Sequence, residues 1–335
     1  MLWLRHDVKV PVLRGYLRFA VAGNLNLDLY FIVGRIPQPD EAVEAQQHFS
    51  RPGGAACNVS AALAKLGARV RLFGFVGSDE AGRSVLEGLR GMGVDVSGVK
   101  AVDKPTGTVV VLLDKLGRRA MVALRGANLE LKPGSLSIEE LSGFDHLHLS
   151  STNPDFSAWV LSEAKRLGLT TSYDPGLTVA EQGLGALRGV LASTDVLFLN
   201  EREFTALGGD LLVERFAGLI ILKRGERGSE APQAGLRAEA FRVEAVDTTG
   251  AGDSFDAAFL LCWKLGLPLE ECLLVANAAG ALKATRVGAY SSPTLSELLA
   301  FLRERGLGDL AQRLETRHKA NNQVSGLLQG SGRTC

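Results

Sequence analysis

The chain has 335 residues, with Lys plus Arg and Asp plus Glu balanced at 37 each and 46% hydrophobic residues. That length allows one large core with an elaboration, and the neutral charge disfavours nucleic acid or an anionic membrane surface as the main partner. No apolar run reaches membrane-spanning length, and Cys57, Cys262, Cys272 and Cys335 show neither Cys-x-x-Cys nor metal-ligand spacing, so a reducing cytoplasm fits best.

Residues 1–18 mix charges with short apolar pieces and read as an extension, not a signal peptide. Residues 19–23 predict a buried strand, followed by the polar groups Asn24, Asn26 and Asp28. Residues 29–50, with Pro37 and Pro39, alternate loosely and predict an exposed sheet element. Gly53-Gly54 sits at a loop-to-helix junction before a small-residue helix over 59–66 that stops at Gly67. A strand over 70–76, a helix over 80–92 and a short strand over 94–99 follow. Residues 108–113 and 118–124 read as a β-hairpin and, with 29–50, predict a small separate sheet.

Beyond it, strands at 147–149, 170–173, 196–199 and 219–223 alternate with helices over 154–167, 184–192 and 201–207. Residues 225–246 are turn-rich and predict a short hairpin; helices follow over 254–265 and 269–285, with a last one over 294–305. The polar tail, 315–335, is expected to be poorly ordered. This alternation predicts an α/β fold, a doubly wound and mostly parallel sheet flanked by helices. Ligands of such sheets lie at the carboxyl ends of the strands, and Asp28, Asn200 and Lys223 fall at or just past such ends.

No P-loop, dinucleotide fingerprint, His-Glu-x-x-His or nucleophile elbow is present, and His146 and His148, flanking a strand, read as structural. The stretch Asp247-Thr248-Thr249-Gly250-Ala251-Gly252-Asp253-Ser254-Phe255 is the most informative. Gly250 to Gly252 predict a loop that opens an apolar helix, where unpartnered N–H groups and the helix dipole attract an anion. Asp253 in that position is either an N-terminal cap or a base for the group that attacks a phosphate.

Two motifs carry a family resemblance. Gly53-Gly54-Ala55-Ala56-Cys57-Asn58-Val59-Ser60, with Gly67 and Gly77 downstream, resembles the N-terminal signature of the ribokinase-like, PfkB-type carbohydrate kinases. Asp247 to Asp253 resembles their C-terminal signature, and the resemblance spans residues 19–305. It implies that Asp253 is the catalytic base, with Gly250, Ala251 and Gly252 as an anion hole. It implies that Asp28, Gly53, Gly54 and Asn58 bind sugar hydroxyls, and that Arg125-Gly126-Ala127-Asn128 returns the chain from a lid over about 29–50 and 106–127. Asn200 and Glu203, in Asn200-Glu201-Arg202-Glu203, would order Mg²⁺ and phosphates through water, although the same pattern reads as a helix cap. Lys223, Gly225 and Gly228 would line the ATP, and Asn277 would lie beside its adenine or be a buried helix residue.

Asp247, Thr249, Gly288 and Ser292 match positions of a monovalent-cation (K⁺) site, with Lys283 nearby. The chain departs from ribokinases proper at Ala55, where they carry Lys, and at Ser150 and Ser151, in place of a sugar-binding Glu. The implied activity is ATP-dependent phosphoryl transfer to a hydroxymethyl group of a sugar. The acceptor stays open among sugars, sugar acids, sugar phosphates and nucleosides, so a nucleoside kinase and a non-catalytic sugar- or nucleotide-binding relative are the competing readings. A lid with one apolar face suggests a homodimer through the lid.

Overall fold

Apolar strands and small-residue helices alternate along much of the chain, and the parallel strands of the large sheet are joined by crossovers. The computed structural model describes residues 16–330, with side chains through residue 323. Most of the expected N-terminal extension and Cys335 lie outside the described residues. The strands are β1 (Arg18–Gly23), β2 (Asn26–Val33), β3 (Ala45–Gly53), β4 (Arg69–Gly77), β5 (Asp95–Val102), β6 (Gly107–Asp114), β7 (Arg119–Leu124), β8 (His146–Ser150), β9 (Thr170–Asp174), β10 (Val196–Asn200), β11 (Leu219–Lys223), β12 (Ser229–Ala231) and β13 (Leu236–Ala238). The helices are α1 (Ala55–Lys65), α2 (Glu80–Gly91), α3 (Pro154–Arg166), α4 (Leu177–Ala180), α5 (Gly183–Leu191), α6 (Glu201–Ala206), α7 (Asp210–Arg215), α8 (Ala251–Lys264), α9 (Leu269–Ala284), α10 (Leu295–Glu304) and α11 (Gly308–Gly330).

The large sheet runs β13-β12-β11-β10-β9-β8-β1-β4-β5, parallel throughout except for the antiparallel edge made by β12 and β13. The inner strand β1 shows why both faces are covered. Phe19 and Val21 of β1 point into the core shared with α1, α2, α8 and α9, while Ala20 and Ala22 point into the core shared with α3 and α5. A strand apolar on both faces needs a helix layer on each, as the sequence pattern predicts. His146 and His148 are buried in a chain of hydroxyls from Thr170, Ser172 and Ser150, a structural role; burial drops His148 to about 3. Cys57, Cys262 and Cys272 are buried free thiols. Among the described residues no helix is long and apolar enough to cross a membrane.

The second sheet, ordered β3-β2-β6-β7, is the small separate sheet expected from the sequence, called the lid for its proposed role. Asn128 anchors it: its side chain accepts from the Leu25 N–H at 2.8 Å and donates to the Leu25 carbonyl at 3.1 Å, acting as a strand partner.

Two expectations need correction. Asp28 does not lie beyond the end of a core strand; it is the third residue of lid strand β2, because the chain leaves β1 at Asn24 and begins a new strand at Asn26. The tail is not irregular as far as residue 330: 308–330 form α11, so α10 is not the last helix. Leu310, Ala311 and Leu314 are buried on one side of α11, a short apolar stripe that the polar composition around it hides.

Candidate active site

Two helix N-termini meet under the lid. Helix α8 opens at Gly250, whose φ of 79° is left-handed, and Ala251 donates back to the Thr248 carbonyl at 3.1 Å. The N–H groups of Gly252 and Asp253 that follow have no acceptor within the helix. No side chain caps this helix, so the cap reading of Asp253 does not hold. Instead the Asp253 carboxylate reaches across to α1, where Oδ2 accepts from Asn58 Nδ2 at 2.7 Å. Burial raises the Asp253 pKa to about 6, with the Asn58 hydrogen bond pulling the other way.

Helix α1 begins at Gly54, directly after Gly53 ends β3. A Cβ on Gly53 would lie 2.0 Å from Asp28 Oδ1, so only glycine lets that carboxylate sit here. Asp28 Oδ1 and Asn58 Oδ1 are both buried without a hydrogen-bond partner. Burial pushes Asp28 up to about 7. Asp28 Oδ1 and the Oδ1 of Asn58, the residue that holds Asp253, are thus acceptors that lack donors, and hydroxyl groups of a polyol supply donors.

The residues expected to line the nucleotide are arranged differently. Asn200 and Lys223 end neighbouring parallel strands and pair in register. Lys223 Nζ is bound by Asp174 Oδ2 at 2.7 Å and by the two Asp256 oxygens at 3.0 and 3.1 Å. Burial opposes these charges, but the Lys223 ammonium holds Asp174 below the usual carboxylate range, while burial leaves Asp256 well above it. A Cβ on Gly252 would be 3.5 Å from Lys223 Nζ, which places this ammonium next to the turn that opens α8. Asn200 and Glu203 form a reciprocal capping box on α6: Asn200 Oδ1 accepts from the Glu203 N–H at 3.0 Å and Glu203 Oε2 from the Asn200 N–H at 2.8 Å. Glu203 is nonetheless buried, and burial followed by Asp174 raises it to about 7.

This excess of buried carboxylate favours a cation nearby. Among the described residues no three carboxylate, imidazole or thiolate groups converge to hold a metal. A Mg²⁺ here therefore fits as an ion liganded mostly by phosphates and water, with Asn200 and Glu203 outside its shell. Gly225 and Gly228 bound a tight turn after β11, closed by Arg224 N–H to the Gly228 carbonyl at 2.8 Å. Asn277 donates to the Ala238 and Glu239 carbonyls, both at 3.1 Å, and so pins the segment after β13.

Asp247, Thr249 and Gly288 do converge: the Asp247 oxygens accept from Thr249 N–H at 2.9 Å and Gly288 N–H at 2.8 Å. The expected cation does not fit them as the chain is built. Lys283 Nζ already binds the Asp247 carbonyl at 2.7 Å and the Arg286 carbonyl at 3.1 Å, and Lys65 Nζ takes the Ser292 carbonyl at 3.3 Å.

Sequence reasoning missed four groups. Asp256 lies one helical turn after Asp253, a signal that was available; Asp174 ends β9, one residue past the strand predicted over 170–173 and just before Pro175-Gly176. The other two are lid arginines. Arg51 pairs with Asp28 across β2 and β3, and Arg119 pairs with Leu113, which pairs with Ile32. Register therefore puts both on the face that carries Asp28 and Tyr30. Arg119 Nη1 donates to Thr249 Oγ1 at 2.7 Å, and Arg51 lies over the Phe49 ring, 5.0 Å from its centroid. Among the described residues neither is paired with a carboxylate.

Residues 17–295 match the pfkB family of carbohydrate kinases. The chain is 36% identical over 297 residues to the ATP-dependent ribose-1-phosphate kinase of Halopiger xanaduensis, covering 86% of this chain and 99% of that one. Its fold is similar to that of Arabidopsis thaliana ribokinase complexed with ribose and ATP, at 28% identity and a TM-score of 0.78, covering 86% of this chain and 99% of that one. It is also similar to Ribokinase II of E. coli in complex with ATP and Mg²⁺, at 25% identity and a TM-score of 0.74, with the same coverage.

Proposed function

Since the chain belongs to the pfkB family of carbohydrate kinases, and is a phosphotransferase of that family, we propose that it transfers the γ-phosphoryl group of ATP to a hydroxymethyl group of a sugar that already carries a phosphate. The observation that carries the transfer is Asp253: a carboxylate with its pKa raised to about 6, held by Asn58 in the first turn of α8.

At neutral pH Asp253 is ionised and a stronger base than an ordinary carboxylate. It accepts the proton as the acceptor hydroxyl attacks the γ-phosphorus, the bond to ADP breaks, and ADP leaves. A positioned base of this kind contributes roughly 10²–10⁴-fold. The N–H groups at Gly252 and Asp253 face the charge that develops on the transferred group, and each such donor is worth on the order of 10²-fold. When bound, Mg²⁺ neutralises the phosphates, and Asn200 and Glu203 would hold its water shell. Asp28 and Asn58 orient the sugar by accepting from its hydroxyls. The lid keeps water from competing as acceptor.

A phosphorylated acceptor is favoured by Arg51 and Arg119, two guanidinium groups without carboxylate partners on the lid face beside Asp28. Guanidinium is suited to hold a phosphate through paired hydrogen bonds. That the Halopiger xanaduensis relative is a ribose-1-phosphate kinase supports this choice over a nucleoside. The test is an ADP-release screen across pentoses, hexoses, pentose phosphates, sugar acids and nucleosides. Turnover with a pentose phosphate at least tenfold above the free pentose supports the reading. Equal or better turnover with a nucleoside overturns the acceptor class, and binding with no ADP release from any acceptor overturns the kinase.

The lid is also where we place a homodimer contact, because β7 is its edge strand and leaves Val122 and Leu124 exposed. A monomer by light scattering at assay concentration would contradict that contact.

A further inference from the structure

Lys283 is fully buried in α9, and a lysine is almost never buried without a partner. Its partners here are backbone carbonyls of two separate segments, Asp247 just ahead of the Gly250 turn and Arg286 just past α9. One ammonium therefore ties the loop that opens α8 to the loop after α9. Three other carbonyls of the second loop also have donors. Gly288 accepts from the Ser291 N–H at 3.1 Å and its hydroxyl at 2.6 Å, and the Tyr290 and Ser292 carbonyls accept from Lys65. A monovalent cation entering this loop would have to compete with these donors and with the Lys283 charge.

We infer that Lys283 is a positioning residue that takes the place of the monovalent cation, fixing the loop before Gly250 with a built-in ammonium and making the enzyme independent of K⁺. The chemistry is a substitution of like for like: a monovalent cation and an ammonium both gather carbonyl oxygens, but the ammonium is covalently held and needs no concentration of ion. Fixing this loop fixes the direction of the Gly252 and Asp253 N–H groups, and so acts on kcat more than on KM.

The turnover arm of the test rests on the kinase reading; the thermal arm does not. With wild-type protein at constant ionic strength, kcat in KCl and in tetramethylammonium chloride is expected to agree within about twofold, and activation by K⁺ of about tenfold or more overturns the proposal. In Lys283→Met, kcat in tetramethylammonium is expected to fall by at least about tenfold and to be largely restored by K⁺ or NH₄⁺. No loss, or a loss that neither ion restores, overturns it. The thermal midpoint of the ligand-free wild type is expected to be the same in both salts, while K⁺ raises that of Lys283→Met. A wild-type midpoint that climbs and saturates with K⁺ overturns the proposal even if no acceptor is found, and the wild-type measurements decide it if the variant does not fold.

Discussion

On the proposed acceptor side, Asp28 and Asn58 each leave a buried oxygen without a partner. On the proposed nucleotide side, Lys223 is held by Asp174 and Asp256, Asn200 and Glu203 cap each other, and Asn277 is bound to two carbonyls. The difference separates two tasks. Unsatisfied polar groups are costly in the empty protein and are retained where a ligand completes them. Satisfied groups hold the backbone in place, so that N–H groups and a glycine turn meet the nucleotide. Changes on the acceptor side should therefore damage function and spare stability, and changes on the nucleotide side should damage stability first.

The largest stability effect belongs to Lys223→Met. It leaves Asp174 and Asp256 buried without their cation and should cost about 3–5 kcal/mol in urea unfolding. A loss of activity with unchanged stability would break the comparison from that side. Next come Arg51→Met and Arg119→Met. Each removes a charge-assisted contact worth about 1.5–3 kcal/mol, so KM for a pentose phosphate should rise roughly 10–100-fold. Free-pentose kinetics should move little, and equal effects on both acceptors would remove the phosphate role.

The smallest is Asp28→Asn, which should slow turnover but stabilise the empty protein by on the order of 1 kcal/mol at pH 8. The sign follows from the raised pKa. Its charged form is penalised in the fold, fully so above about 7, and the penalty shrinks as pH falls toward the ordinary carboxylate value of 3.8. Thermal melts of both proteins from pH 8 to pH 5 should therefore converge; a variant less stable at pH 8 would contradict the claim that Asp28 awaits a ligand.

Much of this was readable in the chain. The two glycine junctions, the alternation of strands and helices, and the lid hairpin are written in local pattern, because glycine at a helix start and period-two alternation act over a few residues. What was not readable depends on long-range placement. Asp174 and Asp256 become partners of Lys223 across 49 and 33 residues. Arg51 and Arg119 reach the acceptor side only through the lid register, where a shift of one residue would turn both away. Asp28 was assigned to the wrong sheet because the break between β1 and β2 is only Asn24-Leu25. Asn200 and Glu203 show the opposite case: the capping reading and the Mg²⁺ reading use the same atoms, and the cap is present.

The central claim is that Asp253 takes the proton from the acceptor hydroxyl, and the pH dependence of kcat/KM in an ADP-release assay tests it most directly. Because its pKa is raised to about 6, activity should fall at least about tenfold per pH unit below that value. In Asp253→Asn the rate should drop roughly 10²–10⁴-fold and that acid limb should vanish. Near-normal turnover in Asp253→Asn, with the acid limb intact, would contradict the account.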